Sequence, residues 1–313
     1  MEYIKNTLEF QIQEPTVVTL GKFDGLHRGH ELLMKEVIRY GKSNNLKTVA
    51  FTFDIPPKNK IEHICGKVLT TNEEKQHIFD VAGIDYLIEC PFTEDVMCMK
   101  PKDFIAWICK SLNMKCVVVG TDFCFGHKRA GDFHTLQKYE HEFDYKTIVV
   151  SKMQDDHRDI SSTYVREEIA KGNIAKANQL LGYPYFVKSH VVHGNKIGRT
   201  IGIPTINMQL PLEKLLPPKG VYVTRVKIDS EEHIGVTNIG TKPTVSDLDT
   251  IGVETHIIGF SGDIYNKTVV VEFLDYIRPE KKFASLEELQ AQMQKDIAYA
   301  KNSAIKKYSY EKN

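Results

Sequence analysis

The hydrophobic pattern of this chain changes near residue 183, and that change constrains the fold more than any other feature of its 313 residues. Before it, strand-like runs alternate with amphipathic helical segments, which predicts a parallel sheet covered by helices. From Tyr185 to Phe273, short β-rich runs are separated by Gly, Pro and Asn, a pattern typical of an antiparallel barrel or sandwich. The length fits two domains at roughly 150 residues each. We therefore expect domains at 1–183 and 184–313.

The predicted elements share clear turn and capping signals. Thr71 and Glu74 form a capping box at the start of one helix, and Ser285 and Glu288 form another before an amphipathic C-terminal helix. The strands predicted before residue 183 are Thr16–Leu20, Lys47–Phe53, Tyr86–Cys90, Cys116–Val119 and Lys146–Val150. In parallel sheets of this kind, ligands bind outside the carboxyl ends of the strands.

The charge balance argues against a nucleic-acid partner, because Lys+Arg and Asp+Glu both number 41 and no basic stripe is visible. The sequence has no uncharged apolar stretch long enough to cross a membrane, and Met1–Pro15 lacks the apolar core of a signal peptide. None of the six cysteines form a Cys-x-x-Cys pair. We expect free thiols in a reducing cytoplasm.

The run Gly21–His30, GKFDGLHRGH, follows a predicted strand and opens a helix. Its glycines permit a tight turn, and a helix start offers free N–H groups and a positive dipole end to a phosphate. His27 and His30 are three residues apart and share one face of the first turn. The run predicts a phosphate site of the nucleotidyl-transfer type; the alternative is a glycine-rich turn with two surface histidines.

Two further segments belong to the same predicted domain. Gly120–Gly131 follows a strand and offers aromatic rings, an acid, a base and glycines, which would suit a planar ligand bearing a phosphate. Ile160–Arg166 places hydroxyls at a helix start, with Arg166 one turn on. Taken singly, the first could be an ordinary long loop and the second a simple N-cap.

These motifs resemble the bifunctional bacterial riboflavin kinase/FMN adenylyltransferase family, also called FAD synthetase, and the resemblance runs nearly end to end. The second half contributes the runs Gly194–Asn207, Val253–His256 and Arg278–Phe283. The resemblance implies an α/β Rossmann-like nucleotidyltransferase domain followed by an antiparallel riboflavin-kinase β-barrel with a C-terminal helix.

For the first domain, the resemblance implies FMN + ATP → FAD + pyrophosphate, without a covalent enzyme intermediate. His27 and His30 would hold the ATP phosphates as catalytic residues, and the loop of Asp122 would contact flavin. The remaining ATP- or phosphate-binding residues would be Gly21, Phe23, Gly29, Ser162, Thr163 and Arg166, and the flavin-binding residues Asp122, Phe125 and Arg129.

For the second domain, the resemblance implies riboflavin + ATP → FMN + ADP, with Glu254 as general base. The nucleotide segment would contribute Gly194, Lys196 and Gly198, and Arg278 would bind flavin. Side chains alternate along a strand, so Thr205 and Asn207 share one side and offer the oxygen atoms that Mg²⁺ prefers. Without the flanking glycines, this pair would be read as a polar barrel face.

Three positions depart from the family pattern: Pro56 replaces a customary histidine, Ile206 a customary alanine, and Tyr183 a common arginine. Two alternatives therefore stay open. One is a monofunctional enzyme, with either the kinase or the adenylyltransferase site degraded. The other is a non-catalytic flavin or nucleotide sensor. The sequence does not determine the oligomeric state.

Overall fold

A computed structural model describes residues 1–54, 67–194, 197–242 and 250–310. The chain forms two compact units, Met1–Ser162 and Thr163–Asn313, each with its own core. The units divide between Ser162 and Thr163, at the first residue of a helix that spans Ser162–Ala170. The domain boundary at 183/184 stays a prediction.

Among the described residues, the first unit contains ten strands, six complete α-helices and a short 3-10 helix, His127–Arg129. The strands are β1 (Glu2–Lys5), β2 (Thr16–Leu20), β3 (Lys47–Phe53), β4 (Tyr86–Cys90), β5 (Met114–Gly120), β6 (Cys124–Phe125), β7 (Gly131–Asp132), β8 (Lys146–Val150), β9 (Gln154–Asp155) and β10 (Arg158–Asp159). The helices are α1 (Arg28–Asn44), α2 (Asn72–Ala82), α3 (Glu94–Cys98), α4 (Pro101–Leu112), α5 (Phe133–Lys138) and α6 (Glu140–Phe143).

Six of these strands form one parallel sheet in the order β1-β4-β3-β2-β5-β8. All five residues of β2 are buried, because helices cover both faces of the sheet. The chain leaves β2 toward β3 on one side and leaves β5 toward β8 on the other. The connections after β2 and β5 therefore flank a topological switch point, where open α/β sheets bind ligands.

The second unit begins with helices α7 (Ser162–Ala170) and α8 (Ile174–Leu181) and continues as a closed antiparallel barrel. The barrel order is β11-β12-β15-β14-β13-β16, closed by pairing of β16 with β11. Its elements are β11 (Phe186–Val192), α9 (Ile197–Thr200), β12 (Ile206–Met208), β13 (Gly220–Ile228), β14 (Glu231–Lys242), β15 (Thr250–Ile257) and β16 (Thr268–Arg278), followed by α10 (Leu286–Tyr310). The predicted barrel and C-terminal helix are confirmed.

Helix α10 packs on the outer face of the barrel. Ile297 and Ala300 of this helix join Val221, Val223 and Val236 in one apolar cluster. The capping box predicted at its start is only half formed. Ser285 Oγ accepts the Glu288 N–H at 3.3 Å, but the Glu288 carboxylate accepts the Ala284 N–H at 3.2 Å instead of that of Ser285.

Candidate active sites

The turn Gly21–His30 connects β2 to α1 at the carboxyl edge of the sheet. Phe23 (φ 48°) and Leu26 (φ 29°) have left-handed backbone conformations that are unfavourable for these residue types, and both side chains are buried. A buried carboxylate braces this geometry, because Asp24 Oδ1 accepts the N–H groups of Leu69 (2.8 Å) and Thr70 (3.1 Å). The surrounding structure therefore holds the turn in a preset shape.

The two histidines of the turn form a stacked pair with ring centroids 3.9 Å apart. Burial lowers the pKa of His27 to about 4 and the pKa of His30 well below its ordinary value, and the neighbouring His27 lowers the latter further. Both rings are therefore neutral at neutral pH. The Nδ1 atom of each is buried without a hydrogen-bond partner in the described part of the chain. Leaving such atoms unpaired is costly, as expected where a ligand supplies the partner.

The predicted glycines of this turn are sites of close packing. A Cβ at Gly21 would lie 2.9 Å from the Phe23 ring, and one at Gly29 would lie 3.1 Å from the His27 ring. Phe23 is fully buried, and its ring packs edge-on against His30 at 5.3 Å. The Phe23 ring therefore helps to hold the His30 ring in position. Within the described residues, the His27 side chain makes no capping hydrogen bond at the start of α1, and a helix start of this kind suits an anion such as phosphate.

The second predicted segment lies after β5, on the other side of the switch point. Asp122 is 68% exposed and pairs with Lys152 at 3.2 Å, and Lys152 also pairs with Asp159 at 3.0 Å. The Asp122 carboxylate lies close enough to His27 to oppose the burial effect on the pKa of that histidine. The structure therefore places Asp122 within electrostatic range of His27.

The other flavin-binding candidates of this loop differ in accessibility. Phe125 is buried, with its ring stacked on Phe123 at 5.5 Å and tilted against Phe104 at 5.4 Å. Arg129 is exposed and has a left-handed backbone (φ 59°), as does the preceding Lys128. The role of Phe125 in flavin binding stays a prediction, and its observed contacts are those of a core residue.

Ser162 of the hydroxyl segment at residues 160–166 contacts this site. Ser162 Oγ donates to the Asp24 carbonyl at 2.7 Å, which fastens it to the Gly21–His30 turn. Thr163 and Arg166 belong to α7 in the second unit. Their assignment to phosphate binding stays a prediction.

The second unit has a cavity of about 240 Å³ between the outer face of the barrel and α10. Apolar residues form much of its wall, and several polar groups converge on it, as in many small-molecule sites. Its lining includes Gly198, Ile201, Thr205, Val221, Val236, Asn238, Glu254, Arg278, Glu280, Lys281, Phe283, Leu289, Met293 and Asp296. Four residues predicted from sequence for separate roles, Gly198, Thr205, Glu254 and Arg278, therefore meet in one cavity.

The predicted metal ligands lie beside the predicted base. Asn207 is directly opposite Glu254 in the β12–β15 ladder, so their side chains share one face. Ile206 does not line the cavity. A Cβ at Gly194 would lie 2.3 Å from the Asn207 side chain, so this backbone approaches the strand as only glycine allows. Lys196 and Pro56 lie outside the described residues.

These oxygen atoms fit a hard cation that arrives with phosphates. Within the described ranges, no group of three or more His, Cys, Asp or Glu is placed to hold a metal ion. The candidate oxygen ligands are the Thr205 hydroxyl, the buried Asn207 amide and the nearby Glu254 carboxylate. Mg²⁺ commonly takes one or two protein oxygens and completes its shell with water and substrate phosphates.

Three residues of these sites were not singled out from sequence: Asp24, Lys152 and Asp296. Asp24 lay inside the motif without a distinguishing signal, and Lys152 gives no local pattern. Asp296 did give one, because it interrupts the apolar helix face of Leu289, Met293 and Ala300. An acid on a buried helix face requires a partner, and that partner is Arg278 at 2.8 Å.

Two further observations concern the described helices and cysteines. None of the described helices combines the length and apolar character that a membrane span requires. Five of the cysteines are described, and all five are free thiols, as expected from the sequence.

Comparison with known proteins relates each part of the chain to a protein family. A FAD synthetase family model matches residues 9–164, and a riboflavin kinase model matches residues 181–304. Among curated relatives, the bifunctional riboflavin kinase/FMN adenylyltransferase of Escherichia coli K12 is 37% identical over 91% of each chain. The protein of that name from Listeria monocytogenes is 35% identical over 90% of each chain, and that from Bacillus subtilis is 33% identical over 95% of this chain and 94% of the relative.

A solved structure extends the similarity to three dimensions. A crystal structure described as a macrolide-efflux protein from Streptococcus pneumoniae matches with a TM-score of 0.85 and 32% identity, covering 96% of this chain and 99% of that one. Sequence and fold therefore agree along almost the whole length. This chain belongs to the bifunctional riboflavin kinase/FMN adenylyltransferase family.

Proposed function

We propose that this protein carries out two consecutive ATP-dependent steps of FAD biosynthesis, phosphorylating riboflavin in the second unit and adenylylating FMN in the first. The observation that carries the proposal is the presence of two separate sites on one chain. One is a buried pair of neutral histidines at a helix start, and the other is a cavity that joins Glu254, Thr205 and Arg278.

In the kinase step, Glu254 takes the proton of the ribityl 5′-hydroxyl as that oxygen attacks the γ-phosphorus of ATP. The bond from the γ-phosphorus to its bridging oxygen breaks, and ADP leaves. The apolar walls of the cavity, including Val221 and Val236, enclose the flavin. A carboxylate within reach of the reacting hydroxyl is the arrangement that general-base catalysis requires.

In the adenylyl step, an FMN phosphate oxygen attacks the α-phosphorus of ATP, and pyrophosphate leaves. His27 and His30 are neutral, so each ring offers one N–H to the phosphate oxygens on which charge develops. The rigid turn and the stacked rings fix these donors before the substrate arrives. The N–H groups at the start of α1 add to the same positive field.

Mg²⁺ is part of this proposal. Thr205 and Asn207 would hold it in the second unit, where it would neutralise charge on the triphosphate. We further propose a cytoplasmic protein that acts on small molecules without a nucleic-acid partner, in keeping with its balanced charge and free cysteines.

One assay separates this proposal from its alternatives. The pure protein is incubated with riboflavin, ATP and Mg²⁺, and the flavins are separated over time; we expect FMN and then FAD. FMN without FAD would mean a monofunctional kinase, and FAD only from added FMN would mean a monofunctional adenylyltransferase. Flavin binding without any product would indicate a sensor.

Replacing Glu254 tests the kinase chemistry. We expect Glu254→Gln to slow FMN formation by about 10²–10⁴-fold, because the amide cannot accept the hydroxyl proton. FAD formation from supplied FMN on the same chain is the internal control and should be unchanged. Near-normal kinase activity would remove the general-base role.

Replacing His30 tests the other site. We expect His30→Ala to reduce FAD formation from FMN by roughly 10²–10³-fold, the scale of losing a preorganised donor to the transition state. FMN formation from riboflavin should persist. An equal loss of both activities would contradict the two-site proposal.

A further inference from the structure

We propose that Asp296 of α10 is a positioning residue of the kinase cavity. It holds Arg278 as a neutralised pair, and the cavity therefore prefers uncharged riboflavin to its phosphorylated product. This inference rests on the proposed kinase function, and it concerns a residue of the C-terminal helix.

The pair is unusually well connected for a cavity wall. Arg278 Nε lies 3.1 Å from both carboxylate oxygens of Asp296, and Nη2 lies 2.8 Å from Oδ2. Gln292 donates its side-chain amide to Asp296 Oδ1 at 3.0 Å, and Arg278 Nη1 donates to the Pro279 carbonyl at 3.0 Å. The planar guanidinium is thus fixed from several directions, which a fork-shaped donor permits.

Burial makes this pair more significant than a surface ion pair. The Asp296 side chain is 3% exposed and that of Arg278 is 19% exposed. The Phe283 ring lies 5.8 Å from the guanidinium, and Leu289 and Met293 continue the wall along α10. Where water is partly excluded, breaking such a pair leaves an uncompensated charge and frees the arginine to turn toward other anions.

The charged residues that line the cavity favour uncharged riboflavin over negatively charged FMN. Among the described lining residues, three carboxylates, Glu254, Glu280 and Asp296, outnumber the two cations Arg278 and Lys281, so this part of the lining has an excess of negative charge. Riboflavin is uncharged, whereas the phosphate of FMN carries about two negative charges near neutral pH. The paired Arg278 offers no free charge to that phosphate. The lining therefore favours release of the product.

The test compares substrate and product affinity in Asp296→Asn, which keeps the shape of the side chain and removes its charge. ADP release gives kcat and KM for riboflavin, and added FMN gives its inhibition constant against riboflavin. We expect KM to rise and the FMN inhibition constant to fall, so that their ratio shifts by about 10-fold or more, the scale of one unpaired charge at low effective dielectric. The value of kcat should change much less.

The matched control is Glu287→Gln, which removes one carboxylate from the exposed first turn of the same helix, away from the cavity lining. Neither constant should change in this variant. A second comparison places Asp296→Asn on an Arg278→Met background. If Asp296 acts through Arg278, the added substitution should have little further effect on the ratio.

Several results would overturn the inference. If Asp296→Asn lowers the unfolding temperature but leaves the ratio of KM to the FMN inhibition constant unchanged, Asp296 has a purely structural role. If Asp296→Asn shifts this ratio just as much on the Arg278→Met background, Asp296 does not act through the arginine. If Asp296→Asn does not fold, Asp296→Glu displaces Arg278 but keeps the charge. In that variant, the KM for riboflavin should rise while the inhibition constant of FMN stays unchanged. A lower inhibition constant for FMN would contradict the proposal. A wild-type protein that releases no ADP would contradict the proposed function itself.

Discussion

At the residue scale, the identities of the key side chains were predictable, but their electrostatic states were not. The spacing of His27 and His30 placed both on one helical turn. Their neutrality depends mainly on burial and, for His30, also on the neighbouring His27 ring, and burial is a property of the tertiary packing. Phe23 illustrates the same limit, because its strained backbone and complete burial have no signature in the motif.

The lowered pKa of His27 predicts acid sensitivity of the first unit. Its ordinary value is 6.5 and its folded value is about 4, so between these values the unfolded chain binds more protons. The stabilisation that comes from this difference in pKa is fully present above pH 6.5. The free energy of unfolding should then fall by roughly 3 kcal/mol or less as the pH decreases toward 4. Thermal unfolding followed by Trp107, the single tryptophan, reports on this unit because its indole packs with Phe10 and Phe51.

The variant His27→Gln should weaken this dependence on pH, since glutamine does not titrate. The control is His141→Gln, which removes an exposed histidine of the same unit. An identical pH dependence in His27→Gln and the wild type would show that His27 is not the source of the acid sensitivity.

At the element scale, strong periodicity and turn chemistry predicted the core strands well. Lys47–Phe53, Tyr86–Cys90 and Lys146–Val150 have the bounds expected from sequence. The edge strand Glu2–Lys5 was missed, because only pairing with β4 defines it. The Ser285/Glu288 capping box is only half formed, because the Glu288 carboxylate accepts the N–H of the neighbouring Ala284. Local sequence signals thus predict where helices and strands begin, whereas tertiary contacts determine which hydrogen bonds form at their ends.

The capping box of α2 gives a prediction at this scale. Thr71 Oγ accepts the Glu74 N–H at 3.2 Å, and the Glu74 carboxylate accepts the Thr71 N–H at 2.9 Å. Thr71→Ala should lower the stability of the first unit by about 1 kcal/mol in a Trp107 unfolding curve. Thr71→Ser retains the hydroxyl and should have a much smaller effect. Equal losses in the two variants would assign the effect to the lost methyl group.

At the scale of the whole molecule, the change of pattern near residue 183 correctly predicted an α/β part followed by a barrel. It did not reveal that Asp296, far along the chain, would line the kinase cavity, because a closed barrel with a packed helix joins residues that are distant in sequence. Each unit has its own core and its own candidate site. Two chemistries on one chain should therefore be separable by mutation.

Mixing two inactivated chains tests that separability. His30→Ala retains the kinase site and Glu254→Gln retains the adenylyltransferase site, so neither variant alone should convert riboflavin to FAD efficiently. An equal mixture should form FAD after a lag, because FMN made on one chain must reach the other through solution. Chromatography of the flavins over time should show FMN rising first. If the mixture forms FMN but no FAD, while Glu254→Gln alone converts added FMN, then FMN does not pass between chains and each chain must complete both steps itself.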